Sequence, residues 1–119
     1  MTEIQALLLI KSILESADIH GIENILAEDC EYMSTGRGII GRNRNESIEF
    51  LSSMTESIKA DNVPVTCKVI HITDVYEDDA LFHEGRHGLT VSYESGDNYV
   101  YMIFVDVNDE GLVDRIVSS

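Results

Sequence analysis

Apolar residues near the N-terminus recur at helical spacing: Ile4, Leu7, Leu8, Ile10, Leu14 and Ala17. In front of them TEIQ (Thr2 to Gln5) reads as a capping box, in which hydroxyl and amide satisfy each other's backbone N–H groups, so a helix to about Ala17 is predicted. Asp18 then starts a second, shorter predicted helix with Ile22, Ile25 and Leu26 on its apolar face. Cys30 to Thr35 alternate briefly as a strand, and a loop with Gly36, Gly38 and Gly41 follows. Asn43 and Glu46 form another capping pattern, opening a third helix over Ile48, Leu51, Met54 and Ile58 that Asp61, Asn62 and Pro64 end. From there the period changes. VPVTCKVIHITDVY, SYESGDNYVYMIFVDV and GLVDRIV carry β-branched and aromatic residues separated by polar turns, the signature of antiparallel hairpins. Helices first and hairpins after is the α+β order.

YVYMIFV alternates with apolar residues on both faces: Tyr99, Tyr101, Ile103 and Val105 on one, Val100, Met102 and Phe104 on the other. An antiparallel strand usually leaves one face to water, so two apolar faces require two covers. Helices supply one. A second copy of the chain is the expected other, giving a homodimer.

The 119 residues suit one domain, spanning positions 1–119. Acidic side chains number 22 against 8 basic, a formal charge of −14, which disfavours nucleic acid and anionic membrane as partners. Glu3 in the first turn and Lys11 directly after LLLI do not fit a signal peptide, and no apolar run reaches the roughly 20 residues of a membrane span. Cys30 and Cys67 form no spaced metal pair and are expected as buried free thiols. A cytoplasmic protein is expected.

Two stretches imitate catalytic signatures. HEGRH, His83 to His87, matches the H-E-x-x-H zinc motif. That motif works on a helix, where both imidazoles share one face and the glutamate activates a metal-bound water. Asp79 could cap such a helix and Gly88 could close it, but Gly85 would weaken its middle and LTVSY runs on as strand sequence. On a strand, His83 and His87 share a face yet lie about 13 Å apart along it, too far for bonds of about 2 Å to one ion. Thr90 and Tyr93 stand where a longer zinc motif would need glycine and histidine. No metal is expected. GRGIIG, Gly36 to Gly41, matches G-x-G-x-x-G, but EYMST is short and half polar, and RNRN delays the helix. Turn chemistry is the expected role, with no cofactor. Arg37, Arg42 and Arg44 place three of the eight basic side chains there, expected to salt-bridge to the acidic surface or to attract an anionic ligand.

The stretch DIHGIENILAEDCEYMSTGRGIIGRNRNESIEFLSSM resembles the nuclear transport factor 2-like superfamily, which includes ketosteroid isomerases and SnoaL-like polyketide cyclases. Asp18, Ile22, Ile25, Leu26, Ala27, Asp29, Gly38 and Gly41 carry the likeness, and EDDALFHEG and NDEGLVDRI are similar to later family hairpins. The resemblance implies a cystatin-like α+β cone: three N-terminal helices packed on a curved, mostly antiparallel sheet, with a pocket at the open end. It implies no isomerase triad, because the positions of the tyrosine, the base and the second aspartate hold Ile10, Ser34 and about Ile103. Gly85-Arg86-His87 is similar to a G-x-H of the cyclases.

Strand phasing puts Leu81, His83, His87, Leu89, Val91 and Tyr93 on one face and Glu84, Arg86, Thr90 and Ser92 on the other. The more apolar face is expected inward. His87 and His83 are therefore the candidate catalytic residues, and Tyr32, Ser34, His71 and Tyr101 the candidate pocket. The expected function is binding of a small apolar ligand, with isomerase, cyclase or dehydratase chemistry by a pocket histidine. The alternative is a non-enzymatic dimerisation or partner-binding module whose cavity is filled.

Overall fold

Thr2 caps the first helix as expected: its Oγ1 accepts from the Gln5 N–H at 3.2 Å and Gln5 Oε1 accepts from the Thr2 N–H at 2.9 Å. The computed structural model describes residues 1–62, 64–71, 85–93 and 99–119. Helix α1 spans Glu3–Ser16 and ends where Ala17 turns left-handed, with φ 53°. Its buried side is Ala6, Leu7, Ile10, Ile13 and Leu14, whereas Ile4 and Leu8 face outward.

The second predicted helix is absent. Asp18 turns its carboxylate back to accept from the His20 N–H at 3.0 Å, and Gly21 takes φ 87°, so the chain reverses instead of coiling. Only a three-residue 3₁₀ turn, Ile22–Asn24, remains before strand β1, Leu26–Ser34. Ile22, Ile25 and Leu26 are buried as a helical face would bury them. The Ile25 N–H bonds within the short turn, to the Ile22 carbonyl at 3.1 Å, and the Ile25 carbonyl already belongs to the sheet, accepting from the Val113 N–H at 2.8 Å. Among the described residues there are two α-helices, not three.

Strand β2, Gly38–Gly41, returns beside β1, and helix α2 runs Arg44–Asp61 from an Asn43 cap. Then come β3 Val65–His71, β4 His87–Tyr93, β5 Tyr99–Val107 and β6 Val113–Ser118. The six strands form one mixed, curved sheet in the order β2-β1-β6-β5-β4-β3. β1 and β6 are parallel, and every other pair is antiparallel. α1 lies against β3, β4 and β5, and α2 against β1 and β2. Between helices and sheet sits the main core, which takes Cys30, Tyr32, Cys67, Leu89, Val91, Ile103, Val105, Val113 and Ile116 from the strands. Both cysteines are free and buried.

The outer face of β5 is covered in part by the chain itself. Phe104 and Val117 are fully buried, with Met33, Ile70 and Met102 half-buried around them. No helix among the described residues is long and apolar enough to cross a membrane.

Candidate functional site

Parity along the strands decides which side chains look inward, and the sheet's open end decides which of those meet a cavity. β1, β4 and β6 finish, and β5 begins, at the same end of the sheet. There a cavity of about 280 Å³ opens. Tyr32 and Ser34 come to it from β1, Tyr93 from β4, Tyr101 from β5 and Ser118 from β6. Phe50 and Met54, one helical turn apart on α2, form its roof, and Arg37 and Ile40 come from the glycine loop and β2.

Hydroxyl groups dominate its polar lining. Tyr93 and Tyr101 bring their hydroxyl oxygens to 2.8 Å, with ring centroids 5.8 Å apart. They are diagonal neighbours across the β4–β5 ladder, because Tyr101 pairs with Val91 and Tyr93 with Tyr99. The Tyr32 ring lies 4.6 Å from that of Phe50, and its hydroxyl reaches the Met54 sulfur at 3.6 Å. Burial pushes the Tyr32 hydroxyl up from 10.0 to about 12, against an opposing contact from Ser118. Burial and the Tyr93 hydrogen bond push Tyr101 upward as well. Both are therefore protonated donors at neutral pH.

The shift fixes the sign of an alkaline effect. Because Tyr32 titrates higher in the folded chain, its contribution is intact below its unfolded value of 10.0 and drains as pH rises towards about 12. The unfolding free energy of the wild type, measured by urea denaturation, is expected to fall across that window, by up to about 1.4 kcal/mol per pH unit for each such tyrosine. Tyr32→Phe should fall less steeply. Parallel slopes in the two proteins would refute the assignment.

The six sequence candidates separate. Tyr32, Ser34 and Tyr101 meet in this cavity. His83 lies outside the described residues. His87 and His71 face the same side of the sheet but pair with each other at the opposite end, ring centroids 4.9 Å apart. Six residues along β4 put His87 roughly 20 Å from Tyr93. There Glu3 Oε1 accepts from the His87 N–H at 2.7 Å and lies 3.8 Å from its Nδ1, fastening α1 to β4. Neither histidine lines the cavity. Gly85, with φ 86°, and Arg86 lead directly into β4, so the second half of HEGRH enters a strand. Among the described residues no cluster of three histidines, cysteines or carboxylates is placed to hold a metal.

Sequence phasing had a signal for Tyr93, which shares its face with Leu89 and Val91, but none for its partnership with Tyr101. Phe50 falls outside the predicted apolar stripe of α2, and Arg37 sits in a loop whose direction no periodicity sets. Arg37 takes part in none of the ion pairs formed among the described residues, nor do Arg42 and Arg44.

No protein-family model and no curated protein matches the chain. Solved structures do. An M. tuberculosis LEH-like epoxide hydrolase superposes with a TM-score of 0.61 at 17% identity, over 98% of this chain and 80% of that one. An NTF2-like protein of unknown function from Cytophaga hutchinsonii gives 0.61 at 14% identity, over 98% and 97%. A protein of the SnoaL-like family from Agrobacterium tumefaciens gives 0.54 at 15% identity, over 99% and 97%. Two helices on one side of a curved, mixed six-stranded sheet, with nearly the whole chain superposing on such proteins, give this chain the nuclear transport factor 2-like fold.

Proposed function

We propose that the chain binds a small, largely apolar molecule in the cavity between α2 and the Tyr93–Tyr101 end of the sheet. The Tyr93–Tyr101 hydroxyl pair donates one proton to an oxygen of that ligand. The observation that carries this reading is the Tyr93–Tyr101 hydroxyl pair, 2.8 Å apart in a cavity roofed by Phe50 and Met54. Apolar walls with a few converging polar groups suit a small-molecule site. Donors held in place before the ligand arrives stabilise charge on a carbonyl, epoxide or alcohol oxygen. The epoxide hydrolase among the structural neighbours acts on a compound of that kind.

Isomerase, cyclase or dehydratase chemistry also needs a base. The described lining contains neither carboxylate side chain nor imidazole. Polarisation of a bound oxygen by the outer proton of the Tyr93–Tyr101 pair, one hydroxyl donating to the other and the second to the ligand, is thus the chemistry assigned to this cavity, in place of acid–base work by His87.

The test is a panel of small cyclic ketones and epoxides followed by ligand-observed NMR. Tyr101→Phe is expected to weaken the best binder roughly fivefold, the value of one hydrogen bond of about 1 kcal/mol. His87→Ala should leave its affinity unchanged. Absence of any binder, or loss in His87→Ala with none in Tyr101→Phe, refutes the reading. A second reading, a homodimer through the outer sheet face, draws on Met33, Ile70 and Met102, which the single chain leaves half-buried.

A further inference from the structure

We infer that the ligand of this cavity is an organic carboxylate, an apolar body ending in a single negative charge that pairs with Arg37. The inference rests on the binding reading above and adds the class of ligand to it.

The charge distribution carries the argument. The chain has 22 acidic side chains and a formal charge of −14. Yet Arg37 is the one charged side chain among the described residues that line the cavity. An acidic protein has many routes to neutralise an arginine on its surface. Among the described residues Lys11 pairs with Glu15 and Arg86 with Asp106, both within 2.8 Å, while Arg37, like the remaining lysines and arginines, pairs with no carboxylate, and of these Arg37 alone lines the cavity.

Its backbone, by contrast, is fixed. The Arg37 N–H donates to the Ser34 carbonyl at 3.2 Å, and the adjacent Gly38 closes the turn in the left-handed region at φ 79°. Arg37 thus lines the cavity from a turn, alongside Ile40 and Phe50. Arg42 and Arg44 follow within the same loop and helix start, so this edge of an otherwise negative molecule attracts anions. The other polar side chains of the lining are hydroxyls, from Tyr32, Ser34, Tyr93, Tyr101, Ser118 and Ser119, and a hydroxyl can add a weaker donor to a carboxylate that the guanidinium holds.

Size narrows the class. At about 30 Å³ per water, the 280 Å³ cavity holds about nine water volumes. That is room to enclose about ten non-hydrogen atoms, the size of an aryl-alkyl acid.

The probes are hydrocinnamate and its uncharged counterpart hydrocinnamyl alcohol, titrated into the full chain by calorimetry at low and at high salt. The acid is expected to bind about five- to tenfold more tightly at low salt, the advantage shrinking as salt screens it. Arg37→Met should abolish the preference, while Arg42→Met, outside the lining, should keep it and leave the alcohol's affinity unchanged. If the alcohol binds as well as the acid to the wild type, the carboxylate class is overturned and the binding reading stands. A preference that survives Arg37→Met, or that Arg42→Met removes equally, also overturns it. If neither compound binds, both readings fail together.

Discussion

Replacing Phe104 by alanine is expected to lower the unfolding free energy by about 3–5 kcal/mol, the range for deleting a fully enclosed aromatic ring. The ring is wholly buried although it lies on the outer face of β5, away from both helices. Val117, Met33, Ile70 and Met102 pack around its sides. The Arg86 guanidinium stands over its face, 5.3 Å from the centroid, and is held there by Asp106 Oδ1 at 2.8 Å and the Val105 carbonyl at 3.2 Å. Gly88 makes room for it. A Cβ at that position would meet Phe104 Cε1 at 3.0 Å and the Met102 sulfur at 2.9 Å. Removing the ring therefore opens a cavity and also strips the support from an arginine whose Nε is buried with no hydrogen-bond partner among the described residues. Urea denaturation followed by circular dichroism measures the loss. A cost under about 1 kcal/mol would mean that the ring is not sealed. The same experiment reports on the proposed dimer: a wild-type midpoint that rises over about a hundredfold range of protein concentration supports an outer-face partner, and a constant one counts against it.

Phe104 also shows how far alternation can be read. The period of two correctly divided β5 into Tyr101, Ile103 and Val105, which enter the main core, and Met102 and Phe104, which do not. It required a second cover for the second face. It could not say that Arg86, a residue assigned to water, would supply part of that cover from two strands' connection away. Parity likewise put His71, His87 and Tyr93 on one face, and the ladder agrees, since His71 pairs with His87. What parity lacks is distance along the strand. The cavity forms at the end of the sheet that Phe50 and Met54 of α2 roof, so one inward face holds Tyr93 in the cavity and His87 beside Glu3 at the start of α1. The helix predicted after Asp18 failed for a related reason. Its apolar spacing was real and its residues are buried, but in so short a segment a glycine turn and a strand partner outweigh helical periodicity. Both long helices carried capping signals as well as periodicity, and both formed.

Gly41→Ala is expected to cost about 2–4 kcal/mol, from overpacking of about 1–3 kcal/mol together with a weakened buried hydrogen bond of about 1 kcal/mol. Gly41 pairs with Tyr32 across β1–β2 and lies directly beneath the first turn of α2. A Cβ there would sit 2.9 Å from both the Ser47 backbone nitrogen and its Oγ, and 3.0 Å from its Cα. Backbone cannot swing aside as a long side chain can, so the helix itself must move. Ser47 is poorly placed to yield: its Oγ donates to the Cys30 carbonyl at 2.9 Å, and its N–H to the Asn43 carbonyl at 3.0 Å. Gly36, at the other end of GRGIIG, is the control. It has open space where a Cβ would go and no left-handed backbone, so Gly36→Ala should change stability by no more than about 0.5 kcal/mol. Comparable losses at both positions would mean that the loop needs its glycines for backbone freedom, and a loss at Gly41 alone that the second glycine exists for contact with the helix. Because α2 carries Phe50 and Met54 eleven ångströms or less of helix further on, about 4–11 Å at 1.5 Å per residue, a displaced first turn shifts the roof of the cavity. Ligand affinity should accordingly fall in Gly41→Ala and hold in Gly36→Ala, which ties a pattern that imitates a nucleotide loop to a cavity its residues help to build.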